Sequence, residues 1–434
     1  MEKSFALFKL GIKYLYRCRR RYVFLLAALV FCFAVVTVIS SVKDGMYDAV
    51  YYSAQSHYAG DIVALGYSSE SGVRFLGETE AAAILDASRI SGINPRHTVI
   101  RTLYVGSIVH YNGAAIKLKY LFGCDWDSEA HILDRMNFTE APEASFGDDG
   151  IIISTPSAMQ LGAKMGDRVL VELETKWGQK NTGYFIVKGI VQDSSIFGFY
   201  KAYVSRLTLN RLLLYSDGDC SSVGFFFDDP QTAEQKRVVL QKTLSEQALT
   251  APLVYDRDDL KRETSRSWEG IKIFLLTLPV YLSEISDLLD AMNILAYFLY
   301  AMMLLIILVS AVVTYRLILH ERTKEMGVMR TIGFFGGDLR FVLWTEITIL
   351  GFISLVAGFF LALLFTKALS FLPFSWFPSF EIFMKNGRLS ALFLPSSMLL
   401  NVVSIVIILF ASTIFPMFRA SKKNLPGLLS GEPL

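Results

Sequence analysis

Four stretches of this chain contain no Asp, Glu, Lys or Arg over lengths that few soluble folds sustain. They are residues 22–42, 291–315, 347–366 and 389–418, which hold 21, 25, 20 and 30 residues. A helix rises about 1.5 Å per residue, so about 20 residues cross the roughly 30 Å hydrocarbon core of a bilayer. One ionised side chain at mid-helix costs about 3 kcal/mol on insertion scales, which makes four such absences a strong constraint. The runs predict transmembrane helices at 22–42, 291–315, 347–366 and 395–418, with Pro395 and Pro416 near the two ends of the last, where lost backbone bonds are tolerated. The first run exceeds the roughly 7–15 apolar residues of a cleaved leader, and Val38–Lys43 offers no small-residue cleavage site, so it reads as a retained anchor. Composition agrees: 53% of the 434 residues are hydrophobic and 19% charged, against about 25% charged in soluble domains.

The net charge of +2 (42 bases, 40 acids) conceals two opposed compartments. Residues 43–290 carry 24 bases and 33 acids, a net of 24 − 33 = −9. The remainder carries 18 bases and 7 acids, a net of +11. Lys3, Lys9, Lys13, Arg17, Arg19, Arg20 and Arg21 precede the first span, five bases from Arg316 to Arg340 separate the second from the third, and Arg419, Lys422 and Lys423 follow the fourth. The positive-inside rule then places both termini in the cytoplasm and residues 43–290 outside it. The predicted order is a cytoplasmic amphipathic helix within 1–21, span one, an extracytoplasmic domain at 43–290, span two, a cytoplasmic loop at 316–346, span three, an outer loop at 367–394, span four and a cytoplasmic tail at 419–434. Within 1–21, Phe5, Phe8, Ile12, Leu15 and Tyr16 recur at helical spacing, as in a helix lying in the inner interface. Bases on the inner face suit anionic lipid headgroups, and nucleic acid is excluded as a partner because these bases flank lipid-embedded helices.

The insert reads as α+β. Residues 150–154, 168–174, 183–193 and 223–227 are β-branched or aromatic runs bounded by turn residues. Residues 157–161, 230–249 and Glu78–Ser88 read as helices, and 271–283 as a stalk or interfacial segment leading to span two. Cys124 and Cys220 both fall in the insert, where an oxidising compartment permits a disulfide between them if their Cα atoms lie within about 7 Å; the alternative is two buried thiols. His57, His97, His110 and His131 are scattered, and no spacing matches a metal site. No catalytic residue is identified either. The chain has no G-x-x-x-x-G-K-[ST] loop and no G-x-S-x-G elbow, and the His320-Glu321 pair lacks a second His at position 324, which is Lys. The charge-free spans also argue against an ion-coupled transporter. Energy for any work therefore has to come from another subunit.

Two further features bear on assembly. In span three Ser354, Gly358 and Ala362 recur every fourth residue, a stripe that permits close helix contact either within the chain or across a dimer. In the loop after span two, Glu321 and Glu325 share a helix face, Gly333 can end that helix, and Asp338 can cap the next.

That loop reads HERTKEMGVMRTIG from His320 to Gly333, with Glu346 at the head of span three. It resembles the E-R-x-x-E-I-G-x-x-R/K-A-x-G signature of the FtsX-like permease family (MacB-like and lipoprotein-releasing types), the four-span subunits of type VII ABC transporters. Met326 replaces the family's Ile, and Thr331 its Ala. Gly150–Val191 is similar to the family's periplasmic core domain, and Pro416–Pro426 to its C-terminal ending. The resemblance implies that Glu321, Arg322, Glu325, Gly327, Arg330 and Gly333 form the loop that docks a cytoplasmic ABC ATPase. It also implies a dimer with a second permease copy or paralogue, no cofactor on this chain, ATP and Mg on the partner, no enzymatic activity of its own, and a bacterial inner-membrane location. Ser40–Gly45 (SSVKDG) resembles the segment closing span one in lipoprotein-releasing permeases, which implies lipoprotein release and a lipoprotein or periplasmic partner. The alternatives within the family are MacB-like efflux and regulation of cell-wall hydrolases without transport.

Overall fold

The computed structural model describes residues 2–17, 19–69, 73–143, 145–192, 200–372, 383–385 and 388–422. In chain order the elements are α1 (Glu2–Arg17), α2 (Arg19–Tyr58), β1 (Ile62–Ser68), α3 (Glu78–Ile90), β2 (His97–Tyr104), β3 (Ile108–Tyr111), β4 (Ala114–Lys117) and β5 (Tyr120–Cys124). Then follow α4 (Ala130–Leu133), β6 (Gly150–Ser154), α5 (Thr155–Leu161), β7 (Arg168–Glu174), β8 (Lys180–Val191), β9 (Lys201–Ser205), α6 (Arg206–Leu213) and β10 (Ser222–Phe226). The last are α7 (Ala233–Leu244), α8 (Arg257–Thr264), β11 (Ile271–Thr277), α9 (Leu278–Glu321), α10 (Thr323–Thr331), α11 (Gly336–Phe371), β12 (Met384–Lys385), β13 (Arg388–Leu389) and α12 (Pro395–Lys422). The chain divides into two compact units. One comprises Met1–Asp48, Leu289–Pro373 and Arg388–Leu434; the other comprises Ala49–Leu288 and Phe374–Gly387.

The first unit is a helical bundle. Four helices are long and apolar enough to cross a membrane, at Tyr22–Tyr58, Asp287–Glu321, Gly336–Phe371 and Pro395–Ile414. They run well past the charge-free stretches, because charge marks where lipid ends and not where a helix ends. Residues 43–58 contain no proline and only Gly45, so α2 continues through all 40 of its residues. The bundle core joins Leu25, Leu29 and Phe33 of α2, Ile307, Ala311 and Ile318 of α9, Leu343, Ile347 and Leu350 of α11, and Ile405 and Leu409 of α12. On the far side of α9, Ile294, Phe298, Met302, Leu305, Val309 and Val313 are exposed at three- and four-residue intervals. An apolar strip of that length exceeds what a soluble monomer leaves in water and suits a helix that crosses a membrane.

Within this unit α1 packs on α11 through Leu7 and Gly11, where an added Cβ would approach the Thr345 side chain to 3.1 Å. Phe8, Ile12 and Tyr16 are left exposed and Leu15 half-buried, as an interfacial helix requires. The side chain of Phe5 lies outside the described residues. Of the two contacts the small-residue stripe allowed, the structure shows the one within the chain. Ser354, Gly358 and Ala362 are buried inside the chain. A Cβ on Gly358 would lie 2.8 Å from both Phe33 Cδ1 and the Val30 carbonyl of α2. The stripe admits span one of the same chain and offers no face to a second copy. At the other end of α2, the carbonyl of Ser390 leaves no room for a Cβ on Gly45, and the Leu392 N–H donates to the Ser41 carbonyl at 2.9 Å.

The second unit is built on an 11-stranded sheet in the order β11-β1-β10-β2-β5-β9-β6-β8-β7-β3-β4. β5 with β9 and β6 with β8 pair in parallel; the remaining neighbours run antiparallel. Alternation assigns the two faces of β1. Ile62 and Ala64 join Phe225, Ile273 and Leu275 under α3 and α7, while Val63 and Leu65 join Phe274 and Leu276 on the opposite face. The segment expected as a stalk begins as β11, which pairs with β1 along Ile271–Thr277; only from Leu278 does it turn helical. At the centre of the sheet, Arg101 on β2 is 2% exposed. Its Nη2 donates to Glu129 at 2.5 Å and its Nη1 to the carbonyls of Ser56 and His57 at 3.2 and 2.9 Å. Those carbonyls belong to the last turn of α2, so one cation closes the end of that helix.

Cys124 and Cys220 are both free, which corrects the disulfide. Cys124 ends β5 and Cys220 leads into β10, with β2 between them. Two strand spacings of about 4.8 Å put them beyond the roughly 7 Å that a disulfide spans. Burial pushes the Cys124 thiol well above its ordinary value and that of Cys220 up to about 12, so neither is a thiolate at neutral pH.

Gly358→Leu tests the role of the stripe. Overpacking against Phe33 and Val30 is expected to destabilise the protomer by about 1–3 kcal/mol, read as a lowered thermal midpoint in detergent with the oligomeric state unchanged. An unchanged midpoint with loss of a dimer would return the stripe to a subunit interface.

Candidate coupling site

The connector between α9 and α11 carries the sequence motif, and its geometry starts from one buried cation. Arg322 is the single residue separating α9 from α10, with φ −96° and ψ 3°. Its N–H still reaches the Ile318 and Leu319 carbonyls at 3.2 Å, so the two helices are almost continuous. Its side chain turns inward and is 1% exposed. Arg322 Nη1 donates to Glu346 Oε2 at 2.7 Å and to the Tyr22 hydroxyl at 2.9 Å. The Tyr22 hydroxyl donates in turn to the same Glu346 oxygen at 2.7 Å. Tyr22 is 2% exposed and Glu346 0%. This triangle ties the start of span one in α2, the end of α9 and the middle of α11 to one point. A weaker contact runs from Arg322 Nε to Glu325 at 3.4 Å.

Beyond Arg322, α10 is half embedded. Thr323, Met326, Gly327 and Met329 are buried, and the two methionines belong to the bundle core. The helix ends in a Schellman motif: the Gly333 N–H reaches the Arg330 carbonyl at 3.2 Å, the Phe334 N–H reaches Met329 at 3.1 Å, and Gly333 sits at φ 102°. The next helix starts with the Phe335 N–H donating to Asp338 Oδ2 at 3.0 Å. Asp338 therefore stands at the third helical position and reaches back, with Phe335 as the N-cap. The outward side of the connector carries Glu321, Lys324, Val328, Ile332 and Phe335. Ile332 is 72% exposed and Phe335 75%, so a short apolar ridge stands among charges.

Comparison with known proteins places this half of the molecule. Residues 297–425 match the family model described as FtsX-like permease C-terminal. This part of the chain is an FtsX-like permease C-terminal domain. Two solved structures resemble the chain at low identity. The periplasmic region of MacB from Actinobacillus actinomycetemcomitans is 13% identical, over 54% of this chain and 96% of that one, with a TM-score of 0.30. A domain of a putative permease protein from Porphyromonas gingivalis is 12% identical, over 50% of this chain and 89% of that one, with a TM-score of 0.27. The comparison with curated proteins returns no match.

The FtsX-like domain divides the six expected coupling residues into two sets. Glu321 and Gly333 are exposed, Glu325 and Arg330 are partly exposed, and Arg322 and Gly327 face the bundle. The connector is thus anchored along one side. Glu346 supplies a correction. α11 begins at Gly336, so Glu346 lies about 15 Å along the helix and within an apolar span. The charge-free run starting at residue 347 hid this, and Tyr22 carried no signal at all. A carboxylate at that depth is tolerated because the guanidinium and a phenol hold one of its oxygens; Glu346 Oε1 has no partner among the described residues.

Removing either charge leaves the other buried and uncompensated, a cost of about 3–5 kcal/mol. Arg322→Met and Glu346→Leu are each expected to lower the thermal midpoint of the FtsX-like domain strongly. The double variant is expected to recover most of the loss. Additive losses in a double-mutant cycle would mean that the two residues do not interact.

Proposed function

We propose that the chain is the transmembrane subunit of an ABC transporter that works by mechanotransmission. A cytoplasmic ATPase, which holds ATP and Mg, docks on the connector and moves it. The observation that carries this reading is the Ile332–Phe335 apolar ridge with Val328 on its helical side, set on a base that Arg322, Glu346 and Tyr22 pin to three helices. An exposed apolar ridge rimmed by charges is the composition of a docking patch. A rigid base means that force applied at the ridge reaches the spans without being lost in the connector. The FtsX-like domain supports the same reading. In this proposal both termini face the cytoplasm of a bacterium, the net −9 domain lies beyond the membrane, and a second permease copy or paralogue completes the complex. α2 and α9 each contribute residues to both units, which gives movement of the spans a covalent route to the sheet domain.

For the cargo we adopt lipoprotein release, on the resemblance of Ser40–Gly45.

Two experiments address the two levels. Ile332→Asp, and separately Glu325→Lys, are expected to reduce co-purification of the ATPase by about tenfold or more, since loss of a central apolar anchor costs about 2 kcal/mol. Retained association in both variants would remove the connector from the interface. For cargo, the complex in liposomes is expected to hand a lipoprotein to a soluble acceptor only with ATP. ATPase turnover without transfer would leave docking intact and defeat lipoprotein release.

A further inference from the structure

The sheet domain contains a cavity of about 460 Å³ that plays no part in the connector, within the range typical of sites for small organic ligands. It lies against the β11-β1-β10-β2-β5 end of the sheet, closed by the last turn of α2, by α8 and by the first turn of α9. Its lining contains four cationic side chains, Arg74, Arg101, Lys119 and Lys261, and no Asp or Glu among the described residues. Two of the four are already answered: Arg101 by Glu129 at 2.5 Å and Lys261 by Asp258 at 3.6 Å. The other two are not. Arg74 donates its Nε to the Tyr67 hydroxyl at 3.2 Å, and no carboxylate pairs with it among the described residues. Lys119, which is exposed, stands 5.3 Å from the Tyr120 ring, and no carboxylate pairs with it among the described residues. A guanidinium left in a protein cleft without a carboxylate is costly unless something else supplies the charge.

Beside His57, Ser221, Ser222 and Thr264, much of the rest of the wall is aromatic. Tyr58, Tyr67, Tyr120, Phe122, Trp268 and Tyr281 contribute rings, two of which, Tyr58 and Tyr281, stack at 3.9 Å. Trp268 adds an independent observation: its indole N–H is buried with no acceptor among the described residues. An orphan N–H donor and a guanidinium with both terminal nitrogens uncommitted ask for the same thing, a ligand with acceptor oxygens. With Nε engaged by Tyr67, the two terminal nitrogens match a carboxylate end-on. We propose that this cavity binds a small organic acid, a flat apolar body carrying one carboxylate, with Arg74 and Lys119 on the charge and the aromatic wall on the body. The assignment rests on the cavity alone and stands or falls independently of ATPase docking.

The test is calorimetric titration of the full chain in lipid nanodiscs, with empty nanodiscs as the blank. The probes are 2-naphthoate, its neutral analogue 2-naphthamide, decanoate and inorganic phosphate. Saturable one-site binding of 2-naphthoate is expected. The amide should bind about tenfold weaker or worse, since a hydrogen bond to a charged group contributes about 1.5–3 kcal/mol. Decanoate, standing for a lipid-derived acid, and phosphate, standing for the bare anion, should both bind more weakly. Arg74→Gln is expected to weaken 2-naphthoate by about tenfold, and Trp268→Phe and Lys119→Gln by less, while the remote Lys164→Gln leaves it unchanged. Should Arg74→Gln fail to fold, Lys119→Gln and Trp268→Phe carry the comparison. The proposal is overturned by absence of saturable binding, by equal affinity for acid and amide, by decanoate or phosphate binding as tightly, or by affinity unchanged in the folded variants.

Discussion

The contact of Arg322 with Glu346 and Tyr22 is the constraint on which the membrane half of this protein depends. Without it, α9 would pass into α10 through one residue that has nothing to fix its direction. With it, three helices share a point, and α10 has a defined bearing on the bundle. A buried pair of this kind is a poor source of stability, because desolvation takes back much of what the charges return. What it supplies is geometry, since a short helix held along one face by an ion pair and by Met326 and Met329 cannot swing freely. Its outward ridge can then act as a handle on the spans.

The sheet domain obeys a different logic. Its strands bury both faces over much of the sheet, so β6 and β9 are buried at every residue, Lys201 included, whereas β7 alternates. Arg101 secures the last turn of α2 to the centre of the sheet, and Glu129 balances its charge. In the same neighbourhood Arg74 and Lys119 have no carboxylate partner among the described residues, and that asymmetry distinguishes the cavity from ordinary core. Both halves therefore use buried cations, in one case to fix a helix junction and in the other to leave a vacancy of charge.

The sequence was most legible where physics is one-dimensional. Freedom from charge over 20 residues located all four apolar helices, and β6, β7, β8 and β10 were visible as β-branched or aromatic runs. β1, β2, β5 and β9 were not singled out, because segments such as Ile62–Ser68 and Lys201–Ser205 are short and their burial depends on neighbours distant in the chain. Asp338 marked the helix entering span three, and α11 begins at Gly336 because Arg340 and Glu346 interrupt the apolar run without interrupting the helix. The connector motif was legible as a string of residue types, yet the division into an exposed ridge and a buried pin was not, since Tyr22 and Arg322 lie 300 positions apart. The small-residue stripe was seen but its partner was not: spacing shows that a helix approaches closely, not which helix. For Cys124 and Cys220 the missing information was the strand between them.

The central claim is that α10 moves as one body with the start of span one. Spin labels at Val328 on α10 and at Phe24 on α2, both exposed, would report this directly by electron–electron distance measurement in the assembled complex. If Arg322, Glu346 and Tyr22 hold the connector rigid, the distance distribution is the same with and without ATP, even as the complex changes state. A distribution that shifts or broadens on ATP binding would show that the connector moves independently of the spans, and would contradict the account.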